Sequence, residues 1–171
     1  MISQQKYIKE LFKRFEMENS KTIFTPITTA ARLDMDKLGS PANEIMYRGI
    51  IGSLLYLTVS RPDIVFNVSF CARFQSSPKE SHLKAAKRIL RYLKGTPNLV
   101  LFYPSGDNFY LVGYVDADYA GYLVDRKSTS GMAHFLGSCL ISWGIKKQNY
   151  MALSTAETEH VVVASCCAQL L

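Results

Sequence analysis

The hydrophobic pattern of this chain changes its period once, near residue 98, and that change constrains the fold more than any other feature. Before it, apolar residues recur at steps of three and four. After it, short apolar runs alternate between turn residues, as strands do. Such a chain builds helices first and a sheet afterwards, an α+β architecture. Residues 3–17 read as an amphipathic helix, with Ile8, Leu11, Phe12 and Phe15 on helical spacing. Thr25-Pro26, Gly39-Ser40 and Ser40-Pro41 mark 19–45 as a loop. A second helix is expected over 46–59, stopped by Arg61-Pro62-Asp63, and a third from Pro62 to Phe74. A fourth covers about 80–94, closed by Gly95-Thr96-Pro97.

Beyond the change, 99–103 and 110–115 read as strands, and 122–128 as a loop. Residues 130–136 and 139–143 form a hairpin around Gly137-Ser138, and 150–153 a further short strand. Residues 154–171 are helical in composition. The boundary is placed near Pro104-Ser105-Gly106, giving parts 1–105 and 106–171. The strand ending at Asp116 is expected at the centre of the sheet, with the last helix packed on it and an exposed sheet edge and helix face remaining.

Charge divides at the same place. Residues 1–105 carry 16 Lys and Arg against 8 Asp and Glu, a net of +8; residues 106–171 carry 4 against 6, a net of −2. The first part suits a polyanionic partner, and the second spends its carboxylates elsewhere. No apolar run approaches the roughly 20 residues that span a bilayer. The N-terminus is polar, unlike a signal peptide. Cys71, Cys139, Cys166 and Cys167 lack the spacing of a disulfide framework or a zinc site. The expectation is an intracellular, reducing environment.

The helix over 80–94 sorts its residues most sharply. Leu83, Ala86, Ile89, Leu90 and Leu93 fall on one side, and Lys84, Lys87, Arg88, Arg91 and Lys94 on the other. The cationic side is either a solvated outer face or a rail for a nucleic-acid backbone.

Carboxylates concentrate in two places. Asp116 and Asp118 share a face if the strand persists through them; the alternative is the start of a turn. Ser154 to Glu157 spell a capping box, which gives Glu157 a structural job. Glu159 then falls with Val162, Val163 and Cys166 and is expected to face inward, where it needs a cation or metal. A strand-end aspartate and a helix-start glutamate suit Mg2+, which prefers carboxylate oxygens. His82, His134 and His160 show no ligand spacing and read as surface or half-buried residues.

Taken together, these motifs resemble one family. Ile2-Ser3-Gln4-Gln5-Lys6-Tyr7-Ile8, Tyr47-Arg48 with Gly52-Ser53-Leu54-Leu55-Tyr56-Leu57, Arg61-Pro62-Asp63-Ile64 and Ala85 to Thr96 are similar to the segment after the polymerase palm in copia-type retrotransposon reverse transcriptases. Asp116-Ala117-Asp118-Tyr119-Ala120-Gly121, Asp125 to Gly131, Ser142-Trp143 with Lys146-Lys147-Gln148, and Ala152 to Glu159 resemble the RNase H domain fused to it.

The resemblance implies a reverse-transcriptase connection segment over 1–105 and an RNase H-like mixed sheet with a helix over 106–171. It further implies cleavage of the RNA strand of RNA–DNA hybrids by two Mg2+ ions on four carboxylates. By motif, Asp116 matches the first aspartate and Glu159 the glutamate, with Asp118 the fallback ligand. The family's third carboxylate, in an Asp-Asn motif, and its fourth match nothing in the 171 residues. The paired polymerase aspartates match nothing either, so both catalytic centres are expected to be incomplete. His160 and Val162 replace the commoner tyrosine and alanine. The implied partners are nucleic acid and the rest of the Pol polyprotein; the alternative is a non-catalytic nucleic-acid-binding remnant using the basic half.

Overall fold

The computed structural model describes residues 1–27, 33–106 and 109–170. It divides into two compact units, Met1–Leu101 and Phe102–Leu171.

The first unit is helical. Helix α1, Gln5–Arg14, buries Ile8, Leu11 and Phe12. Helix α2, Glu44–Leu57, begins where the Asn43 side chain accepts a hydrogen bond from the Met46 N–H at 2.9 Å, satisfying one of the free donors of a helix start. Tyr47, Ile50, Ile51, Leu54 and Leu57 form its buried side, and the Tyr47 hydroxyl donates to the Cys71 carbonyl at 2.7 Å. The single helix expected from Pro62 is two pieces: a 3-10 turn at Pro62–Ile64, then α3 at Val65–Ala72.

Helix α4, Glu80–Gly95, buries Leu83, Ala86, Ile89, Leu90 and Leu93. Its start is fixed by His82, which is fully buried; the expectation of surface or half-buried histidines fails here and again at His134, which is also buried. The ring stacks on Phe74 with centroids 4.0 Å apart, and Nδ1 accepts from the Lys79 N–H at 3.0 Å. Nε2 must then carry the proton, and it donates to the Asp34 carbonyl at 2.7 Å. The strand expected at 99–103 does not form. Leu101 makes one isolated bridge to Ile2, and Pro97 and Pro104, each lacking an N–H, leave no room for a longer ladder.

The second unit is an antiparallel sheet of β1 (Leu111–Asp118), β2 (Thr129–Leu136) and β3 (Cys139–Lys147), with helix α5 (Thr155–Leu170) packed on it. Gly137 takes φ +59° at the first position of the two-residue turn joining β2 and β3, a conformation that glycine reaches without steric cost. Strand β3 runs further than its apolar stretch and takes in Lys146 and Lys147. The order is β1-β2-β3, so the Asp116 strand lies at an edge and β2 at the centre, against expectation. Consecutive antiparallel pairings keep sequence neighbours adjacent, which puts the middle strand in the middle. Residues 150–153 form no strand; they lead directly into the cap of α5. No helix among the described residues is long and apolar enough to cross a membrane.

Candidate nucleic-acid and carboxylate sites

Strand β1 continues to Asp118, so Asp116 and Asp118 are both strand residues. The side of β1 that meets α5 is set by Gly113. A Cβ there would lie 2.6 Å from Cys166 Sγ and 3.1 Å from Leu170 Cδ1. Alternation then puts Val115 and Ala117 on the α5 side and Tyr114, Asp116 and Asp118 on the exposed opposite face. Tyr114 meets Phe135 there, edge to face at 5.6 Å. The Asp118 carboxylate folds back over the following turn: a Cβ on Gly121 would fall 1.7 Å from its Oδ2. That turn admits no larger residue at 121 while Asp118 keeps this position.

The start of α5 is held by two devices. Ser154 Oγ accepts from the Glu157 N–H at 3.1 Å, and the Glu157 carboxylate accepts from the Leu153 N–H at 2.7 Å, so Glu157 is a capping residue as its spacing indicates. The second device is a buried polar cluster. Gln148 Nε2 donates to Ser130 Oγ at 3.0 Å and to the Thr158 carbonyl at 3.2 Å, while Ser128 and Thr158 hydroxyls lie 3.3 Å apart. Gln148 and Thr158 are missed by a reading that carries Lys146-Lys147-Gln148 only as part of a motif. The recoverable signal was that an uncharged Gln follows two lysines. The inward stripe of α5 is Thr158, Val162 and Cys166, at steps of four. Glu159 and Val163 are exposed, which corrects the expectation of an inward carboxylate. The polar cluster draws Thr158 inward, and its neighbour one step on is turned out.

These placements bear on Mg2+. Asp116 and Glu159 are both solvent-exposed, one on the sheet face away from α5 and the other on α5 itself. Among the described residues no group of three or more His, Cys, Asp and Glu side chains comes together to hold a metal ion. The residues present do not fit a Mg2+ site on their own.

The cationic side of α4 is partly roofed. Arg88 donates to Thr25 Oγ1 at 2.9 Å and to the Thr25 carbonyl at 3.2 Å. Lys94 Nζ donates to the carbonyls of Glu18 and of Ser20, the latter at 2.7 Å, and the Ile23 N–H donates to the Arg91 carbonyl at 3.3 Å. The 18–25 segment therefore runs along this face, and two of the five cations are spent on holding it. Lys84, Lys87 and Arg91 instead line a cavity of about 390 Å³ with Met17, Ser20 and Lys21. Lys21, far from α4 in sequence, is a cation that helical periodicity cannot reveal.

No protein-family model matches the chain, and no solved structure does. Curated relatives do. The chain is 41% identical over 172 residues to a retrovirus-related Pol polyprotein from transposon RE1 of Arabidopsis thaliana, covering 99% of the chain and 12% of the relative. It is 38% identical over 169 residues to the retrovirus-related Pol polyprotein from transposon TNT 1-94 of Nicotiana tabacum, covering 94% of the chain and again 12% of the relative. It is also 32% identical over 171 residues to the uncharacterized mitochondrial protein AtMg00810 of Arabidopsis thaliana, covering 99% of the chain and 70% of that protein. The chain thus spans about an eighth of the length of the transposon polyproteins it matches. Collinear identity of this order over nearly every residue establishes that the chain belongs to the family of copia-type retrovirus-related Pol polyproteins of transposons.

Proposed function

We propose that this chain is the junction of reverse transcriptase and RNase H within such a polyprotein, with the helical unit binding nucleic acid and the sheet unit contributing carboxylates to hybrid-strand cleavage. The observation that carries the reading is the row of α4 cations: Lys84, Lys87 and Arg91, joined by Lys21, line one cavity, and none of the described residues in its wall is acidic. Phosphate contacts of this kind supply affinity without sequence preference. Asp116 and Glu159 would contribute to Mg2+ binding only together with ligands from elsewhere in the polyprotein, with Asp118 the fallback. The intended substrate is an RNA–DNA hybrid.

Affinity for a labelled hybrid should fall steeply with salt. Neutralising Lys84, Lys87 and Arg91 together should lower the slope of log K against log salt by about 3. Binding that ignores salt, or a slope unmoved in the triple variant, would defeat the reading. Cleavage is the second test. Residues 1–171 and the Asp116→Asn variant should cut a hybrid equally little in Mg2+ or Mn2+, since the two-metal reaction needs both ions anchored roughly 3.5–4 Å apart. Cleavage by the wild type that disappears in the variant would mean that a second copy, or a further carboxylate, completes the site.

A further inference from the structure

The 18–25 segment is pinned to α4 on both sides of one residue. The Ile23 N–H donates to the Arg91 carbonyl at 3.3 Å, and Arg88 donates to the Thr25 carbonyl and hydroxyl at 3.2 and 2.9 Å. Residue 24 is held between these anchors, where the chain bends. Its neighbours stiffen the arrangement. Pro26 confines Thr25 to extended backbone. A Cβ on Gly95 would lie 3.4 Å from the Ile23 carbonyl oxygen, so the segment runs close against the end of α4. The pinned position carries Phe24, which is 90% exposed, the most exposed aromatic side chain among the described residues.

A single exposed apolar residue is ordinary. This one is set apart by its support and by its surroundings. Its backbone is already ordered, so a partner that covers the ring pays little to fix it. Ile23 and Thr25 make the contacts that hold the segment, and the ring itself buries almost nothing. Three residues before it, Lys21 lines the cavity of about 390 Å³ together with Lys84, Lys87 and Arg91. The segment's one acidic residue, Glu18, lies at its far end. An aromatic face among cations narrows the partner. An apolar protein surface would leave the cations facing uncharged groups. The paired body of a duplex offers them phosphates but keeps its bases stacked inside, so the ring stays bare. An unpaired strand offers both phosphates and the flat face of a base. Such stacking tolerates any sequence, because every base has a π-face.

We propose that Phe24 stacks on the base of an unpaired nucleotide whose neighbouring phosphates lie on Lys21, Lys84, Lys87 and Arg91. This deepens the nucleic-acid reading and rests on it. It adds a preference for single-stranded or frayed nucleic acid to a contact otherwise driven by charge alone.

The experiment compares a fluorescein-labelled thymidine strand of about ten nucleotides, a length such surfaces hold, with an abasic strand carrying the same phosphates. The full chain should bind the base-bearing strand about tenfold more tightly, the gain expected when an aromatic ring stacks a base. Phe24→Ala should bring the two strands within about twofold of each other and leave the abasic affinity unchanged. Phe24→Trp should keep the preference, and its added emission should be quenched by the base-bearing strand and not by the abasic one. Neither variant should melt differently from the wild type, because the ring buries almost nothing. Equal binding of both strands by the wild type would overturn the stacking and leave charge-driven binding intact. No binding of either strand would overturn both. A preference that survives Phe24→Ala would place the base elsewhere and end the proposal. So would a Phe24→Ala protein that melts lower, or that loses affinity for both strands equally, since the ring would then serve the fold.

Discussion

Replacing Asp63 with asparagine should destabilise the helical unit by about 2–4 kcal/mol. The reason is Arg61, whose side chain is 2% exposed. Its guanidinium donates from Nε to Asp63 Oδ1 at 2.8 Å and from NH2 to Asp63 Oδ2 at 2.6 Å, the two-pronged geometry that a carboxylate accepts best. Two further bonds, of 3.0 and 2.8 Å, reach the Thr96 carbonyl and hydroxyl. The pair thus ties the turn before α3 to the end of α4. Removing the carboxylate's charge strands a buried cation, and that loss exceeds what the pair contributes net. Asp63 is 26% exposed, so water softens the loss and the lower half of the range is expected.

The pH dependence follows from the same contacts. Burial pushes the Asp63 carboxyl up, but the Arg61 hydrogen bonds and charge, with a further hydrogen bond from Tyr92, outweigh it and hold it below the usual carboxylate range. A depressed carboxyl contributes stability that is fully present above its unfolded value of about 3.9. The contribution disappears as pH falls through the lower folded value. Far-ultraviolet circular dichroism during urea unfolding follows the helices. The wild type should lose stability over that acid window, and Asp63→Asn should lose less. Equal midpoints for the two proteins at neutral pH would remove the pair from the account.

Much of this unit was legible because its signals are local. The apolar spacing of Leu83, Ala86, Ile89, Leu90 and Leu93 fixes the buried face of α4 wherever that helix sits. Its opposite face was less legible. Which lysine is free and which is tied depends on the 18–25 segment crossing the helix, a contact over more than sixty residues that no period records. The resemblance marked Arg61-Pro62-Asp63 and Gly95-Thr96 as motifs without saying why they go together; their bonds give a structural reason.

The carboxylates show the same limit. Alternation rightly joined Asp116 and Asp118 on one face, and the capping spacing rightly assigned Glu157. The orientation of Glu159 was misjudged because the last helix is apolar nearly all round. Its periodicity could not choose a face. The choice is made by Thr158 and Gln148 in the polar cluster and by Cys166 against Gly113. The edge position of β1 depended on strand pairing, which a local pattern does not contain.

The contact between Gly113 and Cys166 can be measured directly. Gly113→Ala should cost the sheet unit about 1–3 kcal/mol, although alanine is no worse than glycine in a strand. The added Cβ would sit 2.6 Å from Cys166 Sγ, 3.1 Å from Leu170 Cδ1 and 3.5 Å from His134 Cδ2. A cysteine sulfur one bond from its Cβ has little room to retreat, so α5 must lift from the strand. His134 Nε2 and Cys166 Sγ, now 3.3 Å apart, would separate with it. Cys166→Ala by itself leaves a small void and breaks that contact. Combined with Gly113→Ala, it supplies the space that the new methyl needs. The double variant should therefore be more stable than the sum of the two single losses predicts, by about 1 kcal/mol or more. Trp143 is the chain's one tryptophan and lies in β3, so its fluorescence reports this unit separately from the helical one. Strict additivity would mean that α5 does not rest on Gly113, and the inward stripe of Thr158, Val162 and Cys166 would have to be reassigned.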